Sequence, residues 1–171
     1  MKKVILIIII VNLFSCKTAK VKEGKEEVIV GEIDREIFDI EPYKSWFKKK
    51  YNSYELKDAV VSDITKNLEG VKIKAFIGLW CSDSKQHTPT LYKLLDNAGF
   101  QYSNLELISV DKKKRAKGLE KNLNIFRVPT FIFYKNNKEL GRFVELPVES
   151  LEEDFMKIIS GKPYKHFYDI E

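Results

Sequence analysis

Residues 71–84 have the sequence VKIKAFIGLWCSDS, and this stretch decides the predicted fold. Apolar residues first alternate with lysines and then form a continuous apolar run, which is typical of a strand that enters the middle of a sheet. A helix is expected over residues 84–98, with leucines on one face and Gly99 as its stop. Cys81 therefore lies between a buried strand and the start of a helix.

The flanking sequence continues this alternation of strands and helices. Asn136-Asn137 indicates a hairpin turn between the last two strands. Strands that alternate with helices predict an α/β sheet, and the hairpin adds an antiparallel pair to it. The patterns predict helices from 39–42 onward and over 56–68, 116–123 and 147–161, and strands near 28–33 and over 105–110, 131–134 and 139–144.

The N-terminus predicts export and lipid attachment. Two lysines precede an apolar segment, residues 4–14, that is shorter than the ~20 residues of a membrane-spanning helix. The sequence LFSC at residues 13–16 resembles the processing site of bacterial lipoproteins, which implies that residues 1–15 are removed and Cys16 carries lipid. A plain secretory peptide that leaves Cys16 free is the alternative.

Composition limits the possible functions. The 171 residues are 44% hydrophobic and 32% charged, as expected of a folded globular chain. Thirty basic and 25 acidic residues give a net charge of +5, which falls to +3 without residues 1–15, too small an excess to indicate a nucleic-acid partner. The basic runs 48–50 and 112–115 are interpreted as solvated faces or weak contacts to a membrane surface. No signature of a nucleotide, flavin or haem cofactor or of a metal site is present.

Cys81 has a setting that favours a reactive thiol. The unpaired N–H groups and positive dipole end of the following helix favour thiolate over thiol. The dipole contributes about 0.3–1 kcal/mol, and the nearby Asp83 opposes it with negative charge. The net effect predicted for Cys81 is a modest activation, and an inert, partly buried cysteine is the alternative.

Several motifs together resemble the thioredoxin superfamily. Trp80-Cys81 ends a strand, Pro89 follows eight residues after the cysteine, and residues 128–130 are Val-Pro-Thr before an aromatic strand. The resemblance covers residues 71–160 and implies a thioredoxin-like α/β fold, with a central mixed β-sheet flanked by helices. It also implies a cis peptide bond at Pro129, beside Cys81.

The resemblance assigns the candidate site residues. It implies that Cys81 is the nucleophile, assisted by Trp80 and Ser84, and that Val128, Pro129 and Thr130 bind substrate. In this superfamily the backbone before the cis-proline pairs with an extended substrate peptide, and the proline keeps metal away from the thiol. The partners implied are protein thiols or disulfides, together with the membrane reached through Cys16.

Two departures from the superfamily pattern limit the chemistry. Ser84 replaces the second cysteine, and Ala75 occupies the position of the usual buried acid. A serine hydroxyl cannot resolve a mixed disulfide, so the sequence predicts monothiol exchange at Cys81. A non-catalytic binding module with a vestigial thiol is the alternative, and a one-cysteine peroxidase, which lacks the expected Thr or Arg, ranks last.

The predicted organisation has four parts. Residues 1–15 are the signal peptide, 16–38 the lipidated cysteine and tether, 39–161 the thioredoxin-like domain and 162–171 a C-terminal tail. The domain is expected in the bacterial cell envelope, lipid-anchored and outside the cytoplasm, most simply facing the periplasm, and the sequence leaves open which membrane holds the lipid. His87 is interpreted as a surface helix residue, and the aromatic side chains of the tail are expected to pack over the domain.

Overall fold

The computed structural model describes residues 28–169. The predicted signal peptide and Cys16 lie outside the described residues, so their assignments remain predictions. No helix within 28–169 combines the length and apolar character needed to cross a bilayer. The elements are strands β1 (Gly31–Glu32), β2 (Val71–Ile77), β3 (Leu105–Ser109), β4 (Thr130–Lys135) and β5 (Lys138–Val144), helices α1 (Tyr43–Ser53), α2 (Asp58–Asn67), α3 (Ser82–Ala98) and α4 (Leu151–Ile159), and short 3₁₀ turns at Arg35–Asp39, Tyr102–Asn104 and Phe167–Asp169.

The five strands form one mixed sheet in the order β1-β3-β2-β4-β5. The central strand β2 pairs parallel with β3 and antiparallel with β4, and β5 continues the sheet antiparallel to β4. This arrangement confirms the predicted mixed sheet with flanking helices. Cys81 follows the carboxyl end of the central strand, which is the position that the sequence predicted.

Alternating side chains of the central strands supply two apolar clusters. Ala75 and Phe131 belong to the larger cluster, which includes residues from all four helices. Phe76 and Ile132 belong to a smaller cluster that also contains Cys81. Because successive side chains of a strand point to opposite faces, the helices cover one face, and Cys81 together with the loops that carry Val110, Ala116 and Val128 covers the other.

The helix predicted over residues 116–123 is wrong, because this segment forms a series of turns. The Glu120 carboxylate accepts hydrogen bonds from the backbone N–H groups of Ala116 (2.8 Å) and Gly118 (2.9 Å). Lys117 and Gly118 have φ angles of 55° and 100°, outside the helical region. A side chain that bonds to local backbone groups stabilises this turn at the expense of a helix.

Several element boundaries differ from the predictions. Helix α3 starts at Ser82, two residues before the predicted start. Strand β1 covers only Gly31–Glu32, within the range 28–33 predicted for a strand. Helix α4 starts after Ser150 and not at Pro147, because the Ser150 hydroxyl accepts a hydrogen bond from the Glu153 N–H, as in a capping box. The predicted hairpin turn is confirmed, since Asn136 and Asn137 both have positive φ angles, 52° and 61°.

Candidate active site

Cys81 is the N-cap residue of helix α3 and is nearly buried, with 9% of its surface exposed. Its backbone N–H donates to the Gly78 carbonyl at 2.8 Å, which closes a tight turn between β2 and the helix. A Cβ atom at Gly78 would lie 2.8 Å from the Trp80 ring and 3.1 Å from the Cys81 Cβ. Glycine is therefore required at position 78 for the Trp80-Cys81 turn to form.

Two oxygen atoms face the sulfur of Cys81. The Sγ atom lies 3.3 Å from the Val128 carbonyl oxygen and 3.8 Å from Oδ2 of Asp83. An S–H group can donate to either oxygen. The sulfur therefore lies between the first turn of α3, which carries Asp83, and the cis-proline loop, which carries the Val128 carbonyl.

Ser84 lies in the first turn of α3 and is 1% exposed. Its hydroxyl oxygen accepts a hydrogen bond from the Gly78 N–H at 3.0 Å. Cys81 occupies the N-cap position of α3, and Ser84 bonds to the turn that precedes the helix. Ser84 therefore holds the backbone of the turn that carries Cys81.

Trp80 connects the cysteine turn to the neighbouring strand. Its indole N–H donates to the Val110 carbonyl at 2.9 Å, one residue after the end of β3. The Val110 N–H in turn donates to Ile77 of β2 at 2.9 Å. The half-buried Trp80 ring therefore fixes the Cys81 turn against the residues at the carboxyl end of β3.

The Val128–Pro129 peptide bond is cis, as the sequence predicted. The backbone of this segment is held from two directions: Thr130 donates its hydroxyl hydrogen to the Arg127 carbonyl at 2.8 Å, and the Pro129 carbonyl accepts from the Glu145 N–H at 2.8 Å. Within residues 28–169, the Val128 N–H has no hydrogen-bond partner. Thr130 is 1% exposed, so its side chain orders the loop from inside.

The C-terminal tail packs beside this loop, a contact that the sequence did not locate. The Arg127 guanidinium lies 5.3 Å from the centre of the Tyr168 ring, and its Nε is 3.7 Å from Glu145. The Tyr168 hydroxyl donates to the Glu145 carboxylate, and that hydrogen bond, together with burial, raises the Tyr168 pKa. The predicted packing of tail aromatics over the domain is confirmed for Tyr168. No spacing in the sequence links residue 168 to residues 127 and 145.

His87 and Ala75 are two further positions that the sequence singles out, on α3 and β2. His87 is only partly exposed, with its ring 5.4 Å from that of Phe143, and burial lowers its pKa to about 4. Its interpretation as a surface residue is therefore wrong.

Ala75, at the position of the superfamily's buried acid, is fully enclosed in the apolar core. Within residues 28–169, no group of three or more His, Cys, Asp or Glu residues is placed to hold a metal ion.

Comparison with known proteins identifies the family. The family model described as thioredoxin matches residues 38–157, and the chain belongs to this family. It is 27% identical over 107 residues to thioredoxin H5 of Oryza sativa subsp. japonica, covering 63% of this chain and 75% of that protein.

The chain is also similar to two solved structures. An HIV epitope-scaffold superposes with a TM-score of 0.54 at 18% identity, covering 79% of this chain and 95% of that one, and at this identity the likeness concerns the fold alone. Fasciola hepatica thioredoxin gives a TM-score of 0.40 at 21% identity, covering 58% of this chain and 88% of that one.

Proposed function

We propose that this thioredoxin-family protein exchanges thiols and disulfides through Cys81 alone. The observation that carries the proposal is the pairing of the Cys81 sulfur with the Val128 carbonyl beside the cis-Pro129, in a site where Ser84 replaces a second thiol. A nucleophile beside an extended backbone segment is suited to a disulfide within a peptide. The absence of a nearby second sulfur among the described residues makes the chemistry monothiol.

The reaction has two balanced steps. The Cys81 thiolate attacks one sulfur of a substrate disulfide, the S–S bond breaks, and the other sulfur leaves as a thiolate that takes a proton from water. A second thiol, from the same substrate or from a small external thiol, then attacks the mixed disulfide and releases Cys81. When that thiol belongs to the substrate, the net result is isomerisation without oxidation or reduction.

The backbone of Val128 is the proposed substrate dock. Its N–H, which has no partner within residues 28–169, can donate to a carbonyl of an extended peptide, in the manner of an added strand. Pro129 and Thr130 hold this segment rigid, since the Pro129 carbonyl and the Thr130 hydroxyl are both engaged within the loop. Trp80 and Ser84 position the cysteine turn and do not themselves react.

The proposed location is the bacterial cell envelope, with lipid on Cys16 and the domain outside the cytoplasm. Residues 13–16 and the basic, then apolar, N-terminus support this proposal. Expression of the full chain in a bacterium with labelled palmitate tests it. Label should enter the wild type and Cys81→Ser but not Cys16→Ser, and label in Cys16→Ser would contradict the assignment.

The exchange activity is tested with the full chain carrying Cys16→Ser, which leaves Cys81 as the sole thiol. The protein is incubated with the neutral disulfide 4,4′-dithiodipyridine and then with glutathione, and each adduct is followed by mass spectrometry. We expect one adduct on Cys81 that glutathione removes, and none in the matched Cys81→Ala variant. Reaction slower than that of a cysteine in an unfolded peptide would argue against the proposal.

A non-catalytic binding module is the second candidate function. The observation that favours it is the near burial of Cys81, whose sulfur faces the Val128 carbonyl and the Asp83 carboxylate. Under this alternative, a partner binds the Val128–Pro129 loop equally well whether or not the thiol is present. Partner capture that survives Cys81→Ala in full would favour binding, whereas capture that disappears on reduction would favour exchange.

A further inference from the structure

The loop that follows β3, residues 111–121, carries a concentrated positive charge. It contains six basic and two acidic side chains, a net charge of +4, whereas the whole chain has +5. From the sequence, residues 112–115 are interpreted as a solvated face or a weak contact to a membrane surface. The structure places this loop at the same end of the sheet as Cys81.

Two contacts connect the loop to the site. Val110, the residue immediately before the loop, accepts the hydrogen bond from the Trp80 indole at 2.9 Å. Ala116, in the middle of the loop, is fully buried in the apolar cluster that contains Cys81 and Val128. The loop therefore borders both parts of the site, the thiol and the substrate dock.

Both acidic side chains of the loop bind to groups of the loop itself. The Asp111 carboxylate accepts from the backbone N–H groups of Lys113 (2.8 Å) and Arg115 (2.9 Å) and pairs with the Arg115 guanidinium at 2.7 Å. Glu120 accepts from two further backbone N–H groups of the loop. Both carboxylates are thus directed toward the loop backbone and give it a defined shape.

The lysines remain available to a partner. Lys112, Lys113 and Lys121 are exposed, and among the described residues no carboxylate lies within ion-pair distance of them. The acids on the other side of the site are Asp83, beside the sulfur, and Glu145, which is engaged by Arg127 and Tyr168. Within residues 28–169, the site therefore has one carboxylate beside the sulfur that makes no ion pair, and a larger set of unpaired positive charges in the loop.

We propose that the basic loop 111–121 selects acidic protein segments as the thiol or disulfide partners of Cys81. This inference rests on the proposed function and names the substrate class of the same site. A cationic rim raises the local concentration and the association rate of an anionic partner by about 10- to 1,000-fold at low ionic strength. The acidic residues of the partner flank its reactive cysteine and contact the loop while the cysteine reaches Sγ.

The test uses the full chain with Cys16→Ser and three octapeptides that each contain one cysteine. The other residues are mainly glutamate, glutamine or lysine, and each cysteine is activated as a mixed disulfide with 4-thiopyridine. The Cys81 thiolate attacks the peptide sulfur, the S–S bond breaks, and pyridine-4-thione leaves with the proton, so its absorbance reports the rate. At about 0.02 M salt we expect the acidic peptide to react about 10-fold faster than the basic one, with the ratio near one at about 0.5 M because salt screens the charges.

Two matched triple variants separate the loop from the overall charge. K112Q/K113Q/K121Q should lower the acidic-to-basic ratio at least about threefold. K72Q/K135Q/K138Q removes the same charge near the opposite end of the sheet, where Val71 pairs with Lys135, and should leave the ratio unchanged. An equal change in both variants, or an unchanged ratio in the first, would overturn the proposal.

The remaining controls distinguish the possible failures. Neutral 4,4′-dithiodipyridine should react equally with the wild type and both triple variants. If 4,4′-dithiodipyridine fails to modify Cys81, the proposed function is overturned. If it modifies Cys81 normally but the three peptides react at equal rates, only the inference about the loop is overturned. Vesicles of phosphatidylglycerol and phosphatidylcholine test a membrane partner: vesicle binding lost in K112Q/K113Q/K121Q, with unchanged peptide rates, would assign the loop to an anionic lipid surface instead.

Discussion

The sulfur of Cys81 lies 3.3 Å from the carbonyl oxygen of Val128, 47 residues later in the chain. The contact joins the start of α3 to the cis-proline loop, so the proposed nucleophile and the proposed peptide dock form one site. A partner that binds to the Val128 backbone and brings an electrophilic sulfur to Cys81 would place that sulfur beside the contact between the Cys81 sulfur and the Val128 carbonyl.

Asp83 is expected to restrain the reactivity of Cys81. Its Oδ2 atom is 3.8 Å from the sulfur and can accept a hydrogen bond from the thiol. A carboxylate at this distance also repels an anionic reagent, so Asp83→Asn should raise the rate of alkylation by iodoacetate at pH 7 about 3- to 10-fold relative to the rate with neutral iodoacetamide. Asp63→Asn, on the exposed surface of α2, is the control and should leave the rate unchanged.

Introducing a second sulfur at position 84 should change the fate of the mixed disulfide. Residue 84 lies three positions after Cys81, on the same side of the helix. In Ser84→Cys the new thiol attacks the mixed disulfide, expels the peptide thiol and leaves an internal disulfide between Cys81 and the introduced sulfur, at least about 10-fold faster than an external thiol at low concentration. Non-reducing mass spectrometry follows the peptide adduct over time.

Ser84→Ala is the matched control for this change. It should retain the peptide adduct as the wild type does, and it should lose about 1–3 kcal/mol of stability because the Gly78 N–H is left without its partner. Peptide release that is equally slow in Ser84→Cys and Ser84→Ala would contradict the expected geometry.

His87 should make the protein less stable in mild acid. Burial lowers its pKa to about 4 in the folded state, whereas an unfolded histidine has a value of about 6.5. Between these two pH values the unfolded chain binds a proton that the folded chain does not, so the free energy of unfolding falls as the pH falls. The His87 contribution between pH 7 and pH 5 is a loss of about 2 kcal/mol.

Urea unfolding at pH 7 and pH 5 measures this effect. His87→Gln should show a smaller loss than the wild type, and His166→Gln, which removes the other histidine, should retain the His87 contribution. Equal losses in the wild type and His87→Gln would show that burial does not keep this ring neutral.

The far end of α3 depends on Asp96 for stability. Its carboxylate accepts hydrogen bonds from Arg35 (2.7 and 2.6 Å), Tyr51 (2.7 Å) and Tyr102 (2.6 Å). Burial raises the pKa of Asp96, but these bonds outweigh it and the net pKa is lowered. The associated stability is present above the ordinary aspartate pKa of about 4 and is lost as the pH falls below it.

Asp96→Asn should therefore lower the free energy of unfolding at pH 7 by about 1–2 kcal/mol, since it weakens the bonds to a partly buried guanidinium. Asp63→Asn removes an exposed ion pair with Lys66 and should cost less than about 0.5 kcal/mol. Chemical denaturation measures both changes. Alkylation of Cys81 should be unaffected, because Asp96 lies about 22 Å along the helix from it.

The sequence predicted the elements whose signals are local. The alternation in β2, the cap at Gly99 and the turn at Asn136 each depend on neighbouring residues, and the structure confirms them. The helix predicted over residues 116–123 does not form, and the reason is also local. Its apolar spacing suited a helix, but hydrogen bonds from the nearby backbone to Glu120 favoured turns.

The features of the candidate site also fall into those with local signals and those that depend on distant residues. The sequence alone determined that a single thiol stands between a buried strand and a helix, that serine replaces its partner, and, by resemblance, that Pro129 is cis. Only the tertiary structure decided what surrounds the sulfur: the Val128 carbonyl, the Trp80–Val110 bond, and the basic loop beside the thiol. The physical reason is that periodicity and capping act within a few residues, whereas these contacts join residues 30 or more positions apart that only the packed sheet brings together.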